Sequence, residues 1–152
     1  MVDVSHKNIT LRTATARGRL RVPPAALQLL RDVRAGNRDV ARSHFSKGDP
    51  LIVAQLAAIS AAKRTSDLIT LCHPALPVTQ VEVILEPDEE TSAIVCEATV
   101  RCVGRTGVEM EVCTFLPAHL IGGHLPALPP QALTAVNVGL LNGMSRNLLE
   151  MC

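Results

Sequence analysis

A chain of 152 residues, 47% hydrophobic and 19% charged with a formal net charge of +1, has the size and composition of one globular domain, which excludes disorder over its length. Such a chain buries roughly 70% of its unfolded surface on folding. Phe45 and Phe115 are the only aromatic residues, so the core is expected to be aliphatic and no aromatic platform exists on which nucleic-acid bases could stack. The five cysteines, Cys72, Cys96, Cys102, Cys113 and Cys152, form no C-x-x-C pair and follow no apolar signal segment. A reduced intracellular compartment is therefore expected rather than a disulfide scaffold. Residues 112–145 lack Lys, Arg, Asp and Glu, but four prolines and the Gly122-Gly123 pair break any membrane-spanning helix there. Charge is unevenly placed: residues 1–47 carry +7, residues 48–111 carry −6, and the remainder is neutral. Either the two parts pair with each other or the basic part meets an anionic ligand, and composition leaves both readings open.

In chain order, residues 10–22 alternate Arg12, Arg17, Arg19 and Arg21 with small or apolar residues and stop at Pro23-Pro24, which predicts a strand followed by a helix start. Leu27, Leu30 and Val33 at helical spacing predict an amphipathic helix over 25–33, ended near Gly36. Residues 37–46 read as a loop. Asp49 and Pro50 suit the N-cap and first position of a helix over 51–69, whose Leu51, Ala54, Ala58, Ala61 and Ala62 form a small-residue packing surface. Alternation over 78–85 and 93–103 predicts a hairpin turning at Glu86-Pro87-Asp88-Glu89-Glu90. With a further helix after residue 108, the pattern predicts an α+β fold, an antiparallel sheet with helices on one face.

Four stretches carry candidate chemistry. Lys47-Gly48-Asp49 sits at a loop-to-helix junction, where a lysine beside backbone N–H groups can hold an anion. Ala61-Ala62-Lys63-Arg64-Thr65 closes the Ala-rich helix, and its cations serve equally well as partners of the helix dipole. In Leu71-Cys72-His73-Pro74 the proline restrains the histidine backbone; such a histidine can bind an anion or move a proton, although most do neither. Behind the turn at Gly104-Arg105-Thr106-Gly107, Glu109 and Glu111 stand two residues apart, and in an extended segment both face one side. Paired carboxylates raise one another's pKa and suit acid–base work, while surface Glu-x-Glu is also common.

Met1-Val2-Asp3-Val4-Ser5, Lys47-Gly48-Asp49, the run from Ala61 to Ile69, Leu71-Cys72-His73-Pro74 and Thr106-Gly107-Val108-Glu109-Met110-Glu111, in this order, resemble the MoaC family of cyclic pyranopterin monophosphate synthases. The resemblance covers residues 1–111. It implies a lyase of molybdenum cofactor biosynthesis that converts 3′,8-cyclo-7,8-dihydro-GTP to cyclic pyranopterin monophosphate and releases pyrophosphate. It implies Lys47, Glu109 and Glu111 as catalytic residues, with Lys63, Leu71, Cys72, His73, Met110 and Glu111 against the substrate. A ferredoxin-like subunit assembled as a hexamer, a trimer of dimers, is implied, with no nucleic-acid or membrane partner. No cofactor is required on this reading, which allows Mg²⁺ alongside the pyrophosphate. The compartment is mitochondrial if the source is eukaryotic and cytoplasmic if it is bacterial.

After Glu111 the family continues into a helix beginning Ala-Leu-Thr and then an Asp- and Lys-bearing segment that is catalytic in the family. Here that text resumes only at residues 132–142, and a tail of unrelated sequence follows from 143 to 152. The intervening residues 112–131 hold four prolines, two glycines, no charge and no period. They are read as a retained intron of 60 nucleotides translated in frame, the competing reading being a genuine apolar loop. His119 and His124, parted by the glycine pair, make a poor metal site, and Glu150 has the wrong spacing to replace the family's aspartate. The same departure makes a non-catalytic homologue that assembles with complete subunits the alternative function, and it predicts an uncovered sheet edge and marginal stability. Val112 supplies the GT of a donor whatever its codon, so the informative position is codon 131: genomic sequencing is expected to find CAG there, and CAA overturns the intron reading.

Overall fold

The computed structural model describes residues 2–45, 48–74, 76–113, 133–140 and 144–147; for Leu68, Met110, Cys113 and the last two segments the backbone alone is described. Chain order runs β1 (Thr10–Arg21), α1 (Pro24–Arg34), α2 (Arg38–His44), α3 (Pro50–Lys63), α4 (Thr65–Leu68), β2 (Val78–Asp88), β3 (Ala93–Gly104), α5 (Glu109–Cys113), β4 (Leu133–Leu140) and β5 (Met144–Asn147). The strands form one antiparallel sheet in the order β2-β3-β1-β4-β5. This is the α+β arrangement the sequence predicts.

Alternation decides which face is covered. Ala14, Ala16 and Leu20 of β1 lie beside Ile94, Cys96, Ala98, Val100 and Cys102 of β3 and Val83 and Leu85 of β2, all buried under the helices. The opposite face presents Leu11, Arg17, Arg19, Arg21, Ile84, Glu97 and Arg101. There the Thr15 and Thr99 hydroxyls meet across the β1–β3 register at 2.9 Å.

α1 starts at Pro24, whose missing N–H costs nothing at that position, and buries Leu27 and Leu30. In α3 the Asp49 carboxylate accepts from the Leu51 backbone N–H at 2.8 Å, and Pro50, Leu51, Ala54, Ala58 and Ala62 form the buried stripe. Ala61 stands half-buried beside it.

Several predicted boundaries move. The segment read as loop contains α2, capped by the Asn37 side chain accepting from Val40 N–H at 3.3 Å, with Asp39 in its first turn and Arg42 and His44 in its last. No α2 residue is buried, so no hydrophobic period announces it. The helix expected to continue to residue 69 breaks at Arg64, where the Thr65 hydroxyl donates to the Ala61 and Ala62 carbonyls at 3.2 and 3.1 Å. The hairpin strands run longer than predicted. Pro87 pairs opposite Ile94 on the outer strand β2, where it needs no donor, and the turn moves to 89–92. There the Asp88 carboxylate accepts from the Glu90 backbone N–H and the Thr91 hydroxyl.

Residues 133–140, where the family resemblance implies a helix, form strand β4 along the otherwise open edge of β1. Val112, the first residue of the proposed insert, is fully buried in α5. Residues 114–131, with His119 and His124, and Glu150 lie outside the described residues. The charge asymmetry is in part internal, since Arg31 Nη2 meets Glu89 Oε1 at 2.8 Å. An exposed pair of this kind is worth about 0–1 kcal/mol. Among the described residues no helix is long and apolar enough to cross a membrane.

The face assignment has a direct test in urea unfolding. Ile94→Ala, in the core, is expected to cost about 2–5 kcal/mol, whereas Ile84→Ala on the open face is expected to change stability by no more than about 0.5 kcal/mol.

Candidate functional site

Two connecting segments meet at one end of the sheet. After α4, the Ile69 N–H returns to the Thr65 carbonyl at 2.8 Å and the Cys72 N–H to the Ile69 carbonyl at 3.1 Å, which turns Leu71-Cys72-His73 toward the end of β3. Facing it, the chain leaves β3 at Gly104 and enters α5, anchored by the fully buried Val108 and Val112. Between them lies a cavity of about 360 Å³ lined by 69–73, Leu76, Thr106, Gly107, Glu109 and Glu111. The third and fourth stretches singled out in the sequence thus share one cavity.

Glu109 and Glu111 lie on the helix expected after residue 108, not in an extended segment that would turn both to one side. They occupy the first turn of α5, where residues two apart point to different sides. Both still border the cavity because the Glu109 carboxylate folds back over Gly107, filling the space that a Cβ on that residue would take.

Glu111 is 4% exposed, and burial, reinforced by the charge of Glu109, raises its pKa against the opposing pull of its own backbone N–H. Burial first and the Glu111 charge second also push the Cys72 thiol up. Cys102 is raised by burial, then by Glu111, while Arg12 pulls it down and Glu109 pushes it up. Cys96, remote from the cavity lining, is pushed up to about 12, chiefly by burial. All three described free cysteines therefore stay as thiols near neutrality, which removes a thiolate nucleophile from the chemistry available here. The cavity instead offers a buried carboxyl group, a second carboxylate, an imidazole and a thiol, a set suited to moving protons.

The other predicted residues are placed as follows. Leu71 is exposed at the rim, and Cys72 and His73 are half-buried. Lys63 is exposed on the last turn of α3 and is not among the described residues that line the cavity. Lys47 lies outside the described residues, and Met110 is placed in α5 by its backbone only. Among the described residues no group of three His, Cys, Asp or Glu could hold a metal ion.

Sequence reasoning did not assign Ile69, Thr70, Leu76 and Thr106 to the site, although Ile69 closes the run from Ala61 and Thr106 opens the stretch that bears Glu109 and Glu111; all four line the cavity. It also grouped Arg12 with Arg17, Arg19 and Arg21. Arg12 has the parity of Ala14 and Ala16 and so faces the core side, opposite Cys102 in the register, with a buried Nε that has no hydrogen-bond partner among the described residues. Parity along β1 was the available signal.

Because folding raises the Glu111 pKa, the folded chain holds that proton more tightly than the unfolded chain. Stability therefore falls as pH rises from the ordinary value of 4.5 through the folded value. Glu111→Gln is expected to remove this loss, with a higher Tm than the native chain at pH 8 and a smaller difference at pH 4, as thermal melts will show.

The sequence model of the MoaC family matches residues 1–120. Cyclic pyranopterin monophosphate synthases from Parvibaculum lavamentivorans and Thermomicrobium roseum are each 50% identical over 114 residues, covering 75% of this chain and 64% and 62% of their own lengths. The enzyme of the same name from Dinoroseobacter shibae is 48% identical, over 75% of this chain and 65% of its own. The chain thus spans a little under two thirds of the relatives it matches. A match over 120 of 152 residues, which takes in both walls of the cavity, establishes that the chain belongs to the MoaC family.

Proposed function

We propose that this chain carries the substrate cavity of a cyclic pyranopterin monophosphate synthase, a lyase acting on 3′,8-cyclo-7,8-dihydro-GTP with release of pyrophosphate. The observation that carries the reading is the union of Leu71-Cys72-His73 with Glu109 and the buried Glu111 around one cavity of about 360 Å³. That volume lies in the range of small-molecule sites, about 300–1,000 Å³.

In this reading the carboxyl of Glu111, kept protonated further toward neutrality by burial, gives a proton to the rearranging substrate, and the more open Glu109 accepts one. His73 handles protons or the ring edge from the facing wall, and the Leu71–Cys72 backbone holds the heterocycle. The triphosphate needs cations, and Lys47 and Lys63 are proposed for it. Met110 is proposed as a substrate contact from α5. On this reading no cofactor is required, and any Mg²⁺ would accompany the pyrophosphate.

A homo-oligomer, a hexamer in the fuller form of the proposal, is supported by the exposed Ile52 and Leu56 on α3 and by Leu71, 72% exposed at the cavity rim. Residues 112–131 are proposed to be a translated insert, supported by their lack of charge, with its first residue, Val112, taking a core position at the end of α5. Residues 143–152 then belong to an unrelated tail.

Turnover of the cyclised GTP substrate tests the reading. The 152-residue chain is to be assayed beside a version with residues 112–131 deleted and the relatives' C-terminal segment joined. Activity confined to the repaired version supports a synthase site interrupted by an insert. Activity in both means the insert is tolerated, and activity in neither overturns the synthase reading. In whichever version is active, Glu111→Gln is expected to lower kcat by roughly 10²–10⁴-fold.

A further inference from the structure

β1 begins at Thr10, opposite Gly104 of β3, so the residues before Thr10 run past Arg105 and Thr106 at the entrance to the segment that bears Glu109 and Glu111. Residues 2–9 have local order of their own. The Asp3 carboxylate accepts from the Ser5 N–H at 2.9 Å, and the Lys7 N–H donates to the Val4 carbonyl at 3.0 Å. A long-range bond also ties this segment down: Arg105 Nη1 donates to the Ser5 carbonyl oxygen. Arg105 makes no ion pair among the described residues, so its charge is free to strengthen that bond.

Beneath the segment lies a second cavity of about 280 Å³, bordered by Val4, Ile9, His73, Leu76, Arg105 and Thr106 among others. His73, Leu76 and Thr106 line both cavities and so form the wall between them. His73 has Glu109 and Glu111 across the first cavity and Val4 and Ile9 across the second. Its backbone is restrained by Pro74, yet its half-buried ring depends on what stands behind it.

We infer that Arg105 is a positioning residue: by pinning the Ser5 carbonyl it holds residues 2–9 as a strap behind His73, shielding one face of the ring and presenting the other to Glu109 and Glu111. Only the kinetic consequence rests on the synthase reading; the shielding itself does not.

The shielding is measured on the full chain by peptide-resolved modification of histidines with diethyl pyrocarbonate, with the exposed His44 on α2 as internal reference. Arg105→Ala is expected to raise the His73 modification rate by about threefold or more with His44 unchanged. Arg105→Lys, which keeps a cationic donor, is expected to stay within about twofold of the native chain. Deleting residues 2–6 removes the strap without touching Arg105; it should give the same rise, and combining it with Arg105→Ala should add nothing further. This deletion also decides the matter if Arg105→Ala does not fold. An unchanged His73 rate in Arg105→Ala or in the deletion, or a parallel rise at His44, overturns the inference. In whichever form of the chain turns over substrate, Arg105→Ala is expected to lower kcat by about tenfold with KM within about twofold. Absence of turnover in every form counts against the synthase reading alone, since the modification rates are read independently of it.

Discussion

The seating of α5 is the constraint on which the site depends. Val108 and Val112, 1% and 0% exposed, fill the core at the end of the sheet, and a helix of five residues has little hydrogen bonding of its own to hold it there. Apolar burial therefore fixes where Glu109 and Glu111 begin, and Glu111 is carried under the surface because it stands between them. The energy that places the acid is hydrophobic, while the cost of placing it appears as its raised pKa. Gly107 completes the arrangement by leaving the space into which Glu109 folds.

Much of this was legible in the sequence. Asp49-Pro50 announced the start of α3, the alternation from Ala93 onward announced the buried face of β3, and Cys72-His73 and Glu109/Glu111 announced the two walls of the cavity. These features are local, and their physics is complete within a few residues. α2 was not legible because a capped, fully solvated helix has no apolar stripe. The turn after β2 was misplaced because Pro87 reads as a breaker until β2 is known to be an outer strand. The orientation of Glu109 required knowledge of Gly107, and the joint use of His73 by two cavities required the whole sheet end.

Arg12 shows how a composition argument can hide a position. Four arginines in twelve residues of β1 look like one basic stripe, yet three face solvent and the fourth faces the core side opposite Cys102. A strand sorts its residues by parity before it sorts them by charge. The net charge of the first 47 residues therefore overstates what one face of the sheet presents to a partner, and Arg31 is further engaged with Glu89.

Among the groups that line the cavity, those whose pKa is shifted, Glu111 and Cys72, are both shifted upward on balance. Burial and the Glu109 charge keep Glu111 protonated to higher pH, and burial with the Glu111 charge keeps Cys72 a thiol. A site organised for nucleophilic sulfur would need the reverse, a cation or helix N-terminus beside Cys72 to lower its pKa. Glu111 and Cys72, both shifted toward their protonated forms, instead border one cavity with the His73 imidazole, a grouping compatible with the proton transfers proposed above. Its orientation is set from both sides of His73: by the apolar seat of α5 across one cavity and by the N-terminal segment across the other.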